Sequence, residues 1–442
     1  MRRAFPLPLL LALPGAAPVI ASAQSEPPPA TFWVTHLGAA GPGSFRAAVD
    51  AANAHPGADH VRFARGLAGT VPMNGPALTI EDALHVHGPG GTQIRLRGDS
   101  QNGILRILAR AGEVVLEGLY LTDAGDGAIV NEGAILTVDA CTLRANFGAR
   151  GAAIASYGGD LYLRRSIVRD NYSEARGGEQ DGLGGGVYAR DTAVTIDASR
   201  LSANTAESLG GGLYADLPAE GALLVRDSVI DANAAWSQAG GLAVMTHGGP
   251  PAGVINSTIS GNRSTRYAAV WFQGGLVVNN STIADNYGVM MEIPGLCAGL
   301  CAAGRDNELW LNSTLLAANR DAFGDGYDLV PTAQATHVSH SLVERMPDLP
   351  FDDRGGNRLN VDPRLGPLLD NGGALPTQAL AAGSPAIDAG INPSLLQHDQ
   401  RGGCHARVVG SAPDIGAYEY QPGSGIGGRP RFPFCAPMPR RR

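Results

Sequence analysis

One eleven-residue phrase recurs seven times between Leu136 and Asn319, and a repeat of this kind restricts the chain to a stacked architecture. The copies read LTVDACTLRAN, LYLRRSIVRDN, VTIDASRLSAN, LLVRDSVIDAN, AGVINSTISGN, LVVNNSTIADN and LWLNSTLLAAN. They end on Asn146, Asn171, Asn204, Asn233, Asn262, Asn286 and Asn319, at intervals of 25, 33, 29, 29, 24 and 33 residues. Counting back from each asparagine, positions ten and eight are almost always aliphatic and share one parity, so they face one side of a strand. Position three is always aliphatic, from Leu143 to Leu316, and position five is always small: Cys141, Ser166, Ser199, Ser228, Ser257, Ser281, Thr314. The parity changes between eight and five, which requires a bend. Each copy therefore reads as two short strands meeting at a corner.

A third strand follows most asparagines after a glycine run, as in GGGVYA from Gly184, GGGLYA from Gly210 and GGLAV from Gly240. Three short strands per coil, each pairing with its counterpart in the next coil, describe a parallel β-helix. The crossover rule makes it right-handed. Two more coils match with the asparagine replaced, from Val114 to Ala124 and from Thr336 to Met346. Asparagine suits the corner because it tolerates left-handed geometry and because stacked amides can bond from coil to coil. These residues and the small column, Cys141 included, read as scaffold.

A stack of coils leaves its first coil with an exposed apolar end, which calls for a cap. Thr31 to Thr35 reads as a strand. Ser44 then stands as an N-cap before Phe45, Ala48, Val49 and Ala52, at i, i+3, i+4 and i+7 of a short amphipathic helix. Ser44, Phe45, Arg46 and Ala48 resemble the N-terminal region that precedes bacterial β-helix repeats of the CSLREA-type family, with Gly43 and Ala47 in place of its cysteine and glutamate. Further on, the Gly-Ser-Pro-Ala-Ile-Asp-Ala-Gly run from Gly383 and the Asp-Ile-Gly-Ala-Tyr-Glu run from Asp414 resemble the choice-of-anchor Q region of exported bacterial β-helix proteins. The resemblance implies an exported or surface-held protein.

The expected organisation is a signal peptide over 1–23 and a Pro-rich leader over 24–30. A cap with irregular first coils follows over 31–108, then regular coils over 109–346. The choice-of-anchor Q-like region occupies 347–420 and a Pro/Gly/Arg-rich tail 421–442. Arg2 and Arg3, an apolar run and Ala21-Ser22-Ala23 supply the export signal. After it no apolar run reaches the ~18 residues of a membrane span. All 33 basic residues are arginine and the net charge is −8, which argues against nucleic acid as a partner. A monomer is expected. Of five cysteines, Cys297 with Cys301 and Cys404 with Cys435 are the candidate disulfides.

For function, the outward position of the third strand carries Tyr188 and Tyr214 in adjacent coils and Trp271 two coils on. An exposed aromatic row of this kind holds sugar rings or a partner protein. The expectation is a non-catalytic protein that binds glycans or cells. The alternative is a polysaccharide lyase or glycoside hydrolase for an acidic polymer, using Asp181, Arg190, Asp191 and Asp197 beside the long loop, with calcium needed only in that case. No cofactor is otherwise implied. His85 and His87 share a strand face as two metal ligands, but no third ligand stands at metal spacing, so they read as polar surface.

Overall fold

The computed structural model describes residues 27–178, 181–289, 297–303, 306–331 and 335–422. The expected signal peptide, the start of the leader, Cys435 and nearly all of the tail lie outside the described residues. The chain is an all-β right-handed parallel β-helix, with a short helix ahead of the regular coils. Its first sheet contains 13 strands, from Thr31–Val34 to Asp352–Asp353, its second 12 and its third 10. At ~4.8 Å per step the first sheet is about 58 Å long.

The columns read from the phrase are real ladders. Leu136, Leu161 and Val194 are register partners on the first sheet, as are Leu143, Val168 and Leu201 on the second. All are fully buried, and each such side chain contributes ~1.5–3 kcal/mol of apolar burial. The asparagine amides bond coil to coil from Asn146 to Asn319 at 2.7–3.0 Å. Asn319 ends the series on Asp328 Oδ1, at 2.7 Å. The small column forms a second ladder, in which the hydroxyls of Ser166, Ser199, Ser228, Ser257 and Ser281 each accept the backbone N–H of the previous coil, as Ser199 Oγ does from Ser166 at 3.0 Å. Cys141 keeps this register: its thiol faces the Leu119 N–H at 3.4 Å, and burial pushes its pKa up to about 12.

The corners differ from the expectation in one respect. The residue before each asparagine, not the asparagine, takes the left-handed conformation: Ala145, Asp170, Ala203, Ala232, Gly261, Asp285 and Ala318. The residue before each small column member does the same, from Ala140 to Ser313. The asparagine keeps its amide for the ladder and its neighbour makes the turn. A fourth sheet of six two- to five-residue strands follows the asparagines, starting at Phe147–Gly148 and ending at Tyr287–Gly288.

At the N-terminus, helix Phe45–Ala54 is capped by Ser44, whose hydroxyl accepts the Ala47 N–H at 3.2 Å. Phe45, Ala48, Val49 and Ala52 are its buried face. The C-terminal region lies along the flank of the helix instead of simply closing its end. Its Ile415, Ala417 and Tyr418 are buried, and Ile415 and Tyr418 pack with Leu315 and Leu342, outward residues of the second sheet. Ala417 N–H also bonds Thr282 Oγ1 at 3.0 Å. Inside it, the Arg401–Asp399 and Arg407–Glu419 pairs are fully buried, at 2.6 and 2.9 Å. The two family-like runs thus supply this region's polar core: Asp414 accepts the Asp388 and Tyr420 N–H groups, and Glu419 accepts those of Val409 and Asp414.

Candidate functional site

The third-strand aromatics stand in one register column, but Tyr188 and Tyr214 are not an exposed row. They are 1% and 6% exposed, their rings stacked at 5.4 Å. The chain entering each third strand folds over them and contributes Leu183, Leu209 and Ala239, with Trp271 partly buried at the edge. An outward position on a coil is open only where no preceding loop covers it. Cys297 and Cys301 belong to third-sheet strand Cys297–Ala302 and are joined by the expected disulfide.

Asp181, Arg190, Asp191 and Asp197 do not form one cluster. Asp181 pairs with Arg150 at 3.2 Å ahead of the third sheet, Arg190 lies beside Asp191 at 3.6 Å at the end of strand Val187–Arg190, and Asp197 pairs with Arg226 at 2.9 Å on the first sheet. The long loop containing Asp181 also sends Arg176 back to Asp126, at 3.1 Å. The groove there, with Arg106 against Glu132 at 2.9 Å, matches every arginine to a carboxylate. It carries no excess charge.

The second sheet is different. Its outward residues are covered by the C-terminal region over the later coils and are already buried at Val229 and Asp231. Over the five coils before that, all but Thr122 are at least partly open. One outward column runs Arg95, Tyr120, Thr142, Ile167, Arg200 and the next runs Arg97, Thr122, Arg144, Arg169, Ser202. Between them they present five arginines and a tyrosine. The facing carboxylates are Asp123, Asp170 and Asp231, at 3.0, 2.8 and 2.7 Å from Arg97, Arg144 and Arg200. Positive charge is therefore in excess on this face of a chain whose net charge is −8.

Shape and chemistry coincide there. A cavity of 350 Å³ is lined by Tyr120, Ile167, Arg169 and Arg200, and an adjoining one of 330 Å³ by Arg165 and the Pro89–Gln93 turn; Thr92, Thr142 and Ile167 line both. Arg95 lies over the Tyr120 ring at 4.9 Å, within cation–π range. Hydrogen bonds to Asp170 and then to Tyr120 raise the pKa of Arg144, and the Asp231 bond raises that of Arg200. Both remain cationic, and a planar guanidinium matches a carboxylate bidentately. The groove thus carries more guanidinium than carboxylate groups.

This row went unread although the phrase contains it. Positions four and two before the asparagine hold Ile167, Arg200, Arg144 and Arg169, on the face opposite the aliphatic at position three. The residue after the asparagine, Phe147, Tyr172 or Tyr287, was missed in the same way. Phe147 is 51% exposed, 6.0 Å from the Tyr172 ring on the fourth sheet.

No known protein family matches the sequence, and no curated protein matches it. Among solved structures, the chain is similar to the PL6 family alginate lyase AlyGC, at 12% identity and a TM-score of 0.34. That likeness covers 79% of this chain and 55% of the lyase, so the chain spans about half the length of the structure it matches.

Proposed function

We propose that the protein binds an extended acidic polysaccharide along the open half of its second sheet. The observation that carries this reading is the row Arg95, Arg97, Arg144, Arg169 and Arg200, standing over five stacked coils with Tyr120 and Ile167 between them. A polymer that repeats a carboxylate meets a surface that repeats a guanidinium. The protein acts outside the cell: the expected signal peptide and the family-like runs support export, and the Cys297–Cys301 disulfide suits an oxidising compartment. Its partner is a soluble or cell-surface glycan. Among the described residues, no helix is long and apolar enough to cross a membrane.

The test is affinity electrophoresis against polyuronates and neutral glycans. Wild type is retarded by the acidic polymers, progressively less as salt is added. Arg144→Ala with Arg169→Ala removes two charge-assisted contacts, each ~1.5–3 kcal/mol, and lowers affinity tenfold or more. Equal retardation of that variant, or retention by neutral glycans alone, refutes the reading.

A second reading, cleavage of the same polymer, is favoured by Tyr120, whose ring lies beneath Arg95 and which neighbours Thr142 and Arg144 of the next coil. In β-elimination a cation neutralises the uronate carboxylate, the Tyr120 oxygen takes the adjacent C–H proton, the C–O bond breaks to leave a double bond, and the departing oxygen takes a proton from Tyr120 or water. A rise in ultraviolet absorbance with a polyuronate, with or without calcium, and its loss in Tyr120→Phe would establish a lyase.

A further inference from the structure

The cap end of the first sheet brings together what the sequence separates. His60 lies on strand Asp59–Phe63, and His85 and His87 on the next coil's Leu84–His87. His60 is the register partner of His85. One ring nitrogen from each of the three lies within 4.8 Å of the others. His60 Nδ1 and His87 Nε2 are 3.0 Å apart, and the rings of His85 and His87 stack at 3.5 Å. Adjacent coils, ~4.8 Å apart, deliver the imidazoles at ligand spacing without any local motif.

We propose that His60, His85 and His87 form a binding site for a divalent transition-metal ion of the zinc class. Two nitrogens at 3.0 Å sharing one proton are close to the edge of a tetrahedron, about 3.3 Å, that follows from zinc–nitrogen bonds of ~2.0–2.1 Å. The ion replaces that proton. Three imidazoles favour zinc, copper or nickel over calcium or magnesium, which take oxygen ligands. Glu117, on the third coil, lies 3.2 Å from His85 Nε2 and 3.4 Å from His87 Nδ1. It is the carboxylate that orients ligating histidines. The opposing group is Arg62, whose guanidinium is 3.3 Å from His87 Nε2. It sits on a long side chain at the surface and must swing away when the ion enters. The histidines are partly exposed, His85 and His87 at 29% and 19%, so the site is open to solution. The site does not rest on polysaccharide binding, because it uses a different sheet and none of the same residues.

The experiment is calorimetric titration of the untagged full chain, cleared of metal by a chelator, with zinc ion. Wild type takes up one equivalent. His60→Gln, His85→Gln and His87→Gln each weaken uptake tenfold or more, Glu117→Gln weakens it less, and Arg62→Ala strengthens it. Cobalt ion on wild type gives the visible bands of a nitrogen-ligated site, and His87→Gln loses them. Absence of saturable zinc uptake by wild type overturns the proposal, as does a His85→Gln, His87→Gln double variant that binds as wild type does. Should the variants fail to fold, the wild-type cobalt spectrum decides alone: no nitrogen-ligand bands, no site.

Discussion

Asn233 shows how a single side chain serves three coils. Its Oδ1 accepts both the backbone N–H and the amide Nδ2 of Asn204, while its own Nδ2 donates to Leu201 O and to Asn262 Oδ1. All of this occurs at zero exposure. Asn233→Ala leaves buried donors and acceptors unpaired, each worth ~1–3 kcal/mol, so about 3 kcal/mol or more of stability is lost, measurable by urea denaturation. Asn233→Asp fares no better, because a carboxylate cannot donate onward to Asn262. At the ladder's end, however, Asp328 is suited to its place, since it only accepts: Asn319 N–H and Nδ2 on one oxygen, Arg345 N–H on the other. Burial, partly offset by these bonds, pushes its pKa up to about 7, and burial pushes Glu419 to about 7 and Asp414 to about 6. Carboxyls whose folded pKa is raised bind protons more tightly folded than unfolded. Their contribution is therefore present below about pH 4 and is lost as pH rises through 6 to 7. The melting temperature, corrected for other titrations by comparison with Asp328→Asn, should fall from pH 5 to pH 8, and the variant should show a shallower fall.

At the scale of the element, the phrase made the inward half of each strand readable, because burial allows only aliphatic or small residues there. The outward half was readable in register but not in exposure. Tyr188 and Tyr214 are neighbours as their spacing required, yet Leu183 and Leu209 cover them, and no periodicity reports which loop folds over which strand. The arginine row was open to reading, since Arg144 and Arg169 occupy one column of the phrase. Its boundary was not, because that depends on where the C-terminal region docks. This region is held by buried ion pairs, which are costly when broken. Arg401→Ala removes the partner of Asp399 at zero exposure, and the bond from Arg401 to Glu419 O. Breaking a buried pair costs ~3–5 kcal/mol. Limited proteolysis should then cleave within 362–421 while the β-sheet circular dichroism of the coils persists, because contacts in a solenoid are between neighbours. Coincident loss of both would show instead that the flank region and the coils unfold as one unit.

For the whole molecule, the docking of the C-terminal region sets the length of the track on which the proposed ligand would lie. Tyr120, Thr142, Ile167 and Arg200 continue the column begun at Arg95, and the next outward residue, Val229, is fully buried. Five coils at ~4.8 Å leave an open track of about 19 Å between the first and last arginine. A polyuronate lying along the axis meets guanidiniums on four of the five coils, the Tyr120 coil carrying none, and gains nothing once it reaches Val229. Affinity for a graded series of oligouronates should therefore rise steeply with length and then level off when the chain spans about 19 Å. Arg95→Ala with Arg97→Ala at one end, or Arg200→Ala at the other, should shorten that plateau length without abolishing binding, whereas Arg144→Ala, in the middle, should weaken oligomers of every length. An affinity that keeps growing well past this span would place the polymer on another face, such as the first sheet. Because the coils are rigidly spaced by their ladders, the plateau reports the position of the flank region directly, and it is the one property of the ligand that the fold prescribes.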